Sequence, residues 1–538
     1  MSADLPQVFI YDTTLRDGAQ GEGISLSIAD KQKIAAKLDY LGVHYIEGGW
    51  PASNPKDFEF FRLMAEKPLS RARLTAFTST CRPGQKPDGD YNLAAVVEAG
   101  VRAAAVVGKA WDFQVREALE TTLEENLRMV AESIAWLKGR GIEVIFDAEH
   151  FFDGYRENPQ YAMRVIRQAG EAGADWIALC DTNGGAMPWE VERVIRRVRE
   201  ELPTPIAIHA HNDGGLAVAN TLVAVQAGAL QVQGTINGYG ERCGNANLCS
   251  VIPNLELKLR YPCLGRENLA RLTEVSHFVS ELANMPHYNH QPFVGSAAFA
   301  HKGGIHASAV LKNTSTYEHI PPESVGNRRR VLVSELSGIS NLRHKAREFG
   351  LSISDLDEEG RRAIEYIKQL EHQGYQFEGA DASLELVLRK AIGLYEDYFT
   401  LESLKVMVDK RGDGSFYSEA TVKIKVRNET VHTAAEGDGP VNAMDNALRK
   451  ALGEIYPCIK EFHLTDYKVR VLDETEGTAA TVRVLIESSD AAESWNTVGV
   501  SENIIEASFK ALMDSFNYAL LKRGENGKGR TREGNPAS

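Results

Sequence analysis

Several common signals are missing from this chain, and each absence narrows its role. Among 538 residues, 60 Lys and Arg face 74 Asp and Glu, a formal net charge of −14. A nucleic-acid-binding surface draws on a basic excess, and there is none. The acidic balance also disfavours docking on anionic membrane, so neither nucleic acid nor membrane is expected as a partner. No run of about 18 apolar residues occurs, which argues against a membrane-spanning helix. The opening MSADLPQVFIYD has neither the basic start nor the apolar stretch of a secretory leader. Cysteines stand only at 81, 180, 243, 249, 263 and 458, with no CxxC pair. Scattered thiols of this kind suit a reduced, cytoplasmic protein.

What is present is alternation. Strand-like runs at 8–11, 44–47, 73–77, 102–107, 142–147, 175–179, 205–209 and 230–235 are separated by amphipathic helical stretches. In SIADKQKIAAKLDYLG, Ser27 reads as an N-cap with Asp30 at the third helical position. Ile34, Leu38 and Leu41 form the apolar stripe, and Gly42 ends the helix. A helix between successive strands implies parallel strands and right-handed crossovers. Eight such units predict an α/β protein with a closed (β/α)8 TIM barrel. A doubly wound sheet is the alternative, but no GxGxxG follows the first strand. The predicted organisation is a barrel over 1–280, linker and helical lid subdomains over 281–400, a separate α+β domain over 401–522 and a disordered tail over 523–538.

Chemistry in such barrels sits at the C-terminal ends of the strands. Polar residues gather at these ends, at 11–12, 47, 147–149, 180–183, 209–213 and 235–237. In HAHNDGG, His209 and His211 stand two apart, so a strand aims both imidazoles the same way. Alone, such a pair serves packing as readily as metal binding. Asp17, from DTTLRDG after the first strand, and Asn245, from GYGERCGN after the eighth, add a carboxylate and an amide oxygen. That set suits a divalent cation and does not choose among Mn2+, Mg2+, Zn2+ and Co2+.

Arg16 either forms a surface pair with Asp17 or holds a ligand oxygen that gains charge during reaction. Glu149 is a base, a substrate anchor or a solvated loop acid. Thr182 bonds a substrate carboxylate or caps a helix. His301, His306, Asn313 and Tyr317 fall in HKGGIHASAVLKNTSTY and reach a barrel mouth only by fold-back or from a second subunit.

Together, DTTLRDG, HAHND and GYGERCGN resemble the DRE-TIM metallolyases, and within them the α-isopropylmalate synthase and citramalate synthase group. HKGGIHASAVLKNTSTYE resembles that group's lid, and EGDGPVNAMDNALRKAL the start of its C-terminal regulatory, dimerisation-type domain. The likeness runs from about residue 7 to 520, and the C-terminal wording points to the citramalate synthase branch.

The resemblance implies a Claisen-type condensation of acetyl-CoA with a 2-oxo acid, helped by a divalent cation. It makes Asp17, His209 and His211 metal ligands, with Asn245 a fourth. Arg16 then stabilises the developing oxyanion, and Glu149, Thr182 and Asn313 contact substrate. His306 and Tyr317 match lid residues tied to deprotonating acetyl-CoA, in a homodimer. Pyruvate is the favoured acceptor, because strands four and five end VVGKAWDF and FDAEHFF, unlike isopropylmalate synthases. In the second domain, Gly437, Gly439, Pro440 and Ala443 resemble a turn that holds an amino-acid effector, with isoleucine favoured. 2-Isopropylmalate synthase, homocitrate synthase and an amino-acid-sensing scaffold are the rival readings.

Overall fold

A computed structural model describes residues 5–332, 339–351, 359–410, 412, 414–427, 429–472 and 480–524. Eight parallel strands close into a barrel in sequence order: β1 (Phe9–Asp12), β2 (Tyr45–Gly49), β3 (Arg73–Ser79), β4 (Ala103–Lys109), β5 (Glu143–Glu149), β6 (Trp176–Asp181), β7 (Ile206–Ala210) and β8 (Gln231–Gly234). Closure is made by β1 against β8, with Tyr11 opposite Gln233. The TIM barrel read from the alternation is therefore the fold.

Period-two alternation builds two apolar layers. Tyr11, Ala105, Ile145, Ala178 and Ala207 fill the barrel's interior. The residues between them on the strands, such as Ile10, Ala104 and Ile177, face outward and join the helices' apolar stripes in the larger core. The helix Ile28–Leu41 shows how local chemistry places these stripes. Ser27 accepts from the Asp30 N–H while Asp30 accepts from the Ser27 N–H, a reciprocal capping box. Gly42 ends the helix in a left-handed conformation, φ +91°, and Ile34, Leu38 and Leu41 are fully buried.

Contacts divide the chain into two compact units. The first comprises 1–299 and 319–329, the second 300–318 and 330–538. In the second, helices Ile339–Glu348, Glu359–His372 and Asp381–Ala391 precede two three-stranded antiparallel sheets. One sheet is Phe399–Lys410, Phe416–Val426 and Glu429–Gly437, followed by helix Pro440–Leu452. The other is His463–Val471, Val482–Ser489 and Ser494–Ser501, followed by helix Ile504–Lys522. Val422, Ile424, Leu448, Ile486 and Leu512 share one core. Two of these strands, 429–437 and 494–501, escape the sequence reading. The first is rich in Thr and Ala, and the second is interrupted by Asn496 and Gly499. The tail expected to be disordered falls outside the described residues from 525 onward. No described helix is long and apolar enough to cross a membrane.

The loop after β8 depends on one glycine. Gly244 has φ +84°, and a Cβ there would lie 1.9 Å from the Gly238 carbonyl oxygen. That oxygen accepts from the Asn245 N–H, and the Gly244 carbonyl accepts from the Asn212 N–H. Gly244→Ala should therefore destabilise the first unit by about 1–3 kcal/mol and displace Asn245. Thermal melting with and without a divalent ion checks this; an unchanged melting temperature would contradict it.

Candidate active site

The site begins with a turn. Asp12 ends β1, and its carboxylate accepts from the Thr14 N–H and the Thr14 hydroxyl, each at 2.9 Å. This Asx-type turn reverses the chain over the barrel mouth and leaves Arg16 and Asp17 there. His209 lies on β7 and His211 just beyond it, so their side chains share a direction. Asp17 Oδ2 is 3.3 Å from His209 Nε2 and 3.9 Å from His211 Nε2, and the two Nε2 atoms are 3.3 Å apart. All three residues are buried, and ligand atoms of the three lie within 4.8 Å of one another.

Asn245 is paired with His211 in a short antiparallel bridge. Its side-chain oxygen is buried without a hydrogen-bond partner among the described residues. An orphaned amide oxygen beside two imidazoles and a carboxylate is what a divalent cation requires. The residues fit the ion that the sequence implied.

Electrostatics agree. Burial pushes the Asp17 carboxyl up, but Arg16 and the two imidazoles outweigh it and hold it well below the carboxylate range. Burial pulls His209 down, yet Asp17 more than offsets this and raises it above its ordinary value. His211 drops to about 4 through burial and its proximity to His209.

Arg16 is not a surface partner of Asp17. Its Nε pairs with Glu47, whose other oxygen accepts from the Tyr11 hydroxyl at 2.6 Å. Its NH1 stands 3.5 Å from Asp17 Oδ2, and the guanidinium lies 4.0 Å above the Phe77 ring. Glu149 is paired with Lys109. Thr182 Oγ1 accepts from the His150 N–H at 2.8 Å. Thr182 caps no helix, because the helix that follows begins only at Pro188. Arg242 donates to both oxygens of Asp213 and to the Thr182 carbonyl, tying three loops together.

Arg16, Asp17, Glu149, Thr182, His209 and His211 line one cavity of about 460 Å³. Lys109 and Asp147 also line it, and Glu47 and Gln233 support it from beneath. None of these four was picked out as a site residue. Glu47 and Asp147 stood in view as polar strand ends, but their partners lie on other strands.

His306, Asn313 and Tyr317 belong to the second unit. There the His306 and Tyr317 rings are 4.3 Å apart, the Asn313 side chain accepts from the Ser315 N–H, and His301 meets Glu318 at 3.1 Å. Gly439 precedes the helix that Pro440 begins. Gly437 packs under it so closely that a Cβ would lie 2.4 Å from the Ala443 nitrogen, and Ala443 is fully buried.

Comparison with known proteins agrees with this architecture. Residues 7–279 match the HMGL-like family, 293–375 the homocitrate synthase post-HMGL domain-like family, and 378–520 the LeuA allosteric (dimerisation) domain. An (R)-citramalate synthase of Aquifex aeolicus is 54% identical over 97% of this chain and 99% of its own. Another, from Geobacter sulfurreducens, is 53% identical over 96% and 98%. The chain belongs to the (R)-citramalate synthase family. It is thus a condensing acyltransferase, one that converts an acyl group to an alkyl group on transfer. A 2-isopropylmalate synthase of Methanocaldococcus jannaschii is also similar, 34% identical over 96% of this chain and 95% of its own.

Because Asp17 raises His209 above its ordinary value while burial and His209 lower His211 to about 4, the proton that cation binding expels at about pH 6 should come from His209. Affinity should then rise about tenfold per pH unit up to the His209 value and level off beyond it. Calorimetric titration in buffers of different ionisation enthalpy counts the proton; an affinity that is flat from pH 5.5 to 8 would contradict this assignment.

Proposed function

We propose that this enzyme condenses acetyl-CoA with pyruvate to give (R)-citramalate and CoA, the entry to isoleucine formation that bypasses threonine. The observation that carries the reading is the Asp17, His209 and His211 cluster, set beside the half-buried Arg16 fork in one cavity. Near-full-length likeness to proteins named (R)-citramalate synthase supports the product.

In this reading Asp17, His209, His211 and the free oxygen of Asn245 hold a divalent cation. When bound, such an ion polarises the carbonyl of the 2-oxo acid. Arg16, already oriented by Glu47, places a permanent positive fork where the keto oxygen gains charge. Thr182 keeps its hydroxyl hydrogen free, because its oxygen is the acceptor toward His150, and donates it to the acceptor's carboxylate. His306, with Tyr317 against its ring, takes the proton from the acetyl-CoA methyl, and Asn313 helps hold that substrate. Glu149, held by Lys109, lines the cavity that receives the acceptor. The methyl carbon bonds to the keto carbon, the keto oxygen gains a proton, and water cleaves the thioester to release CoA.

Pyruvate fits the wall of this cavity. The partly exposed Lys109–Glu149 ion pair lines it, and a branched apolar acceptor would strip water from these charges without replacing it. The second unit, whose family model is named for allostery and dimerisation, supports a homodimer inhibited by isoleucine at the turn containing Gly437 and Gly439. The scattered cysteines, with no CxxC pair, support a cytoplasmic setting.

A thiol-release assay with acetyl-CoA and a panel of 2-oxo acids, with and without chelator, tests the reading. Pyruvate should turn over fastest and chelator should stop the reaction. Fastest turnover with 2-oxoisovalerate would make it an isopropylmalate synthase, and no CoA release with any acceptor would overturn the condensation. Arg16→Lys should leave ion binding intact and lower turnover by about 10²–10³-fold.

A further inference from the structure

We propose that Asp147 and Gln233 set the tautomer of His209, and so decide which of its ring nitrogens is left free for a cation. The inference rests on the reading of Asp17, His209 and His211 as a cation site and concerns residues one step behind it.

His209 on β7 and Gln233 on β8 are directly opposite each other in register, so their side chains leave the sheet on the same, inner face. His209 Nδ1 lies 2.9 Å from Gln233 Oε1, and Gln233 Nε2 lies 3.2 Å from Asp147 Oδ1 on β5. The three residues form a line across the barrel's interior and are almost wholly buried, at 5%, 0% and 4% exposure.

The direction of this line follows from its far end. An ionised carboxylate only accepts. With Asp147 ionised, Oδ1 takes the amide NH2 of Gln233 at 3.2 Å, and the amide oxygen turns toward His209. An amide oxygen only accepts, so His209 Nδ1 must carry a hydrogen. Asp17 Oδ2 competes for a hydrogen at Nε2 from 3.3 Å, whereas Gln233 Oε1 accepts at Nδ1 from the shorter 2.9 Å; with the Nδ1 hydrogen held there, the lone pair of the neutral ring is on Nε2, beside Asp17 and His211. With the amide reversed, its NH2 would face Nδ1, the hydrogen would move to Nε2, and that nitrogen could not bind an ion.

Gln231, two residues earlier on the same strand and also fully buried, provides a contrast. Neither its amide oxygen nor its nitrogen has a hydrogen-bond partner among the described residues. A glutamine inside this barrel is not oriented merely by being there; Gln233 is oriented because Asp147 stands opposite. Asp147 and Gln233 are thus positioning residues, acting through His209.

The test uses the full-length chain with Mn2+ and Zn2+ as probes. Gln233→Met keeps the bulk and removes both hydrogen bonds, whereas Gln233→Glu keeps an acceptor toward Nδ1. Gln233→Met should weaken ion binding by about 10–100-fold, and Gln233→Glu by no more than about threefold. With ¹⁵N-labelled histidine, the neutral ring of His209 in the ion-free protein should show its hydrogen on Nδ1 in the wild type and in Gln233→Glu, but not in Gln233→Met. Asp147→Leu leaves Gln233 in place but unanchored, and should give a mixture of the two tautomers even if Gln233→Met does not fold.

Wild-type affinity in Gln233→Met, equal losses in both Gln233 variants, or an unmixed Nδ1–H signal in Asp147→Leu would each overturn the proposal. If the wild type itself binds neither ion, the cation reading falls and takes this inference with it.

Discussion

The structure turns on a buried carboxylate. Asp17 sits at 3% exposure, and burying an ionised acid is costly unless opposite charge and hydrogen bonds surround it. Arg16 and the imidazoles of His209 and His211 provide that surrounding. Each then needs an arrangement of its own. Arg16 is balanced by Glu47, and Glu47 by the Tyr11 hydroxyl. His209 is held from behind by Gln233, and Gln233 by Asp147. The polar layer at the mouth is therefore one connected network, and a change in any member is felt at Asp17.

The barrel makes such a network possible. Its parallel strands all deliver their C-terminal ends to one face, so groups hundreds of residues apart in sequence meet there. The loops are then tied to one another as well as to their strands. Arg242 joins those after β6, β7 and β8, the Asn212 N–H reaches the Gly244 carbonyl, and the His150 N–H fixes Thr182. Loops bound in this way are oriented before substrate arrives, so little reorganisation is left for the reaction itself.

The sequence reveals the strands and the motif residues for a shared reason: both depend on local pattern. Alternation marks all eight barrel strands to within two or three residues, and the Ser27–Asp30 cap is legible because its partners are three residues apart. Asp17, His209, His211 and Asn245 stand in short motifs whose chemistry is local too. Glu47, Lys109, Asp147 and Gln233 act through partners 24 to 86 residues away, and those pairings exist only once the barrel closes. Arg16 shows the same limit, since its sequence neighbour Asp17 hides its principal partner on β2. Thr182 reads equally well as a cap or a contact until the following helix is seen to start six residues later.

On the proposed reading, selection of the acceptor rests on this polarity rather than on volume. A cavity of about 460 Å³ has room for more than pyruvate, and one methylene in an apolar pocket discriminates by only about 1–3 kcal/mol. Here, however, the wall beyond Arg16 includes Asp147, Lys109 and Glu149, and each of these groups must keep a polar partner when substrate enters. On that reading a methyl group is small enough to leave water beside them, whereas an isopropyl group would displace it and offer nothing in return. Rejection of the larger acid then grows with every polar group left unpaired, so a roomy site can still be selective for a small acceptor.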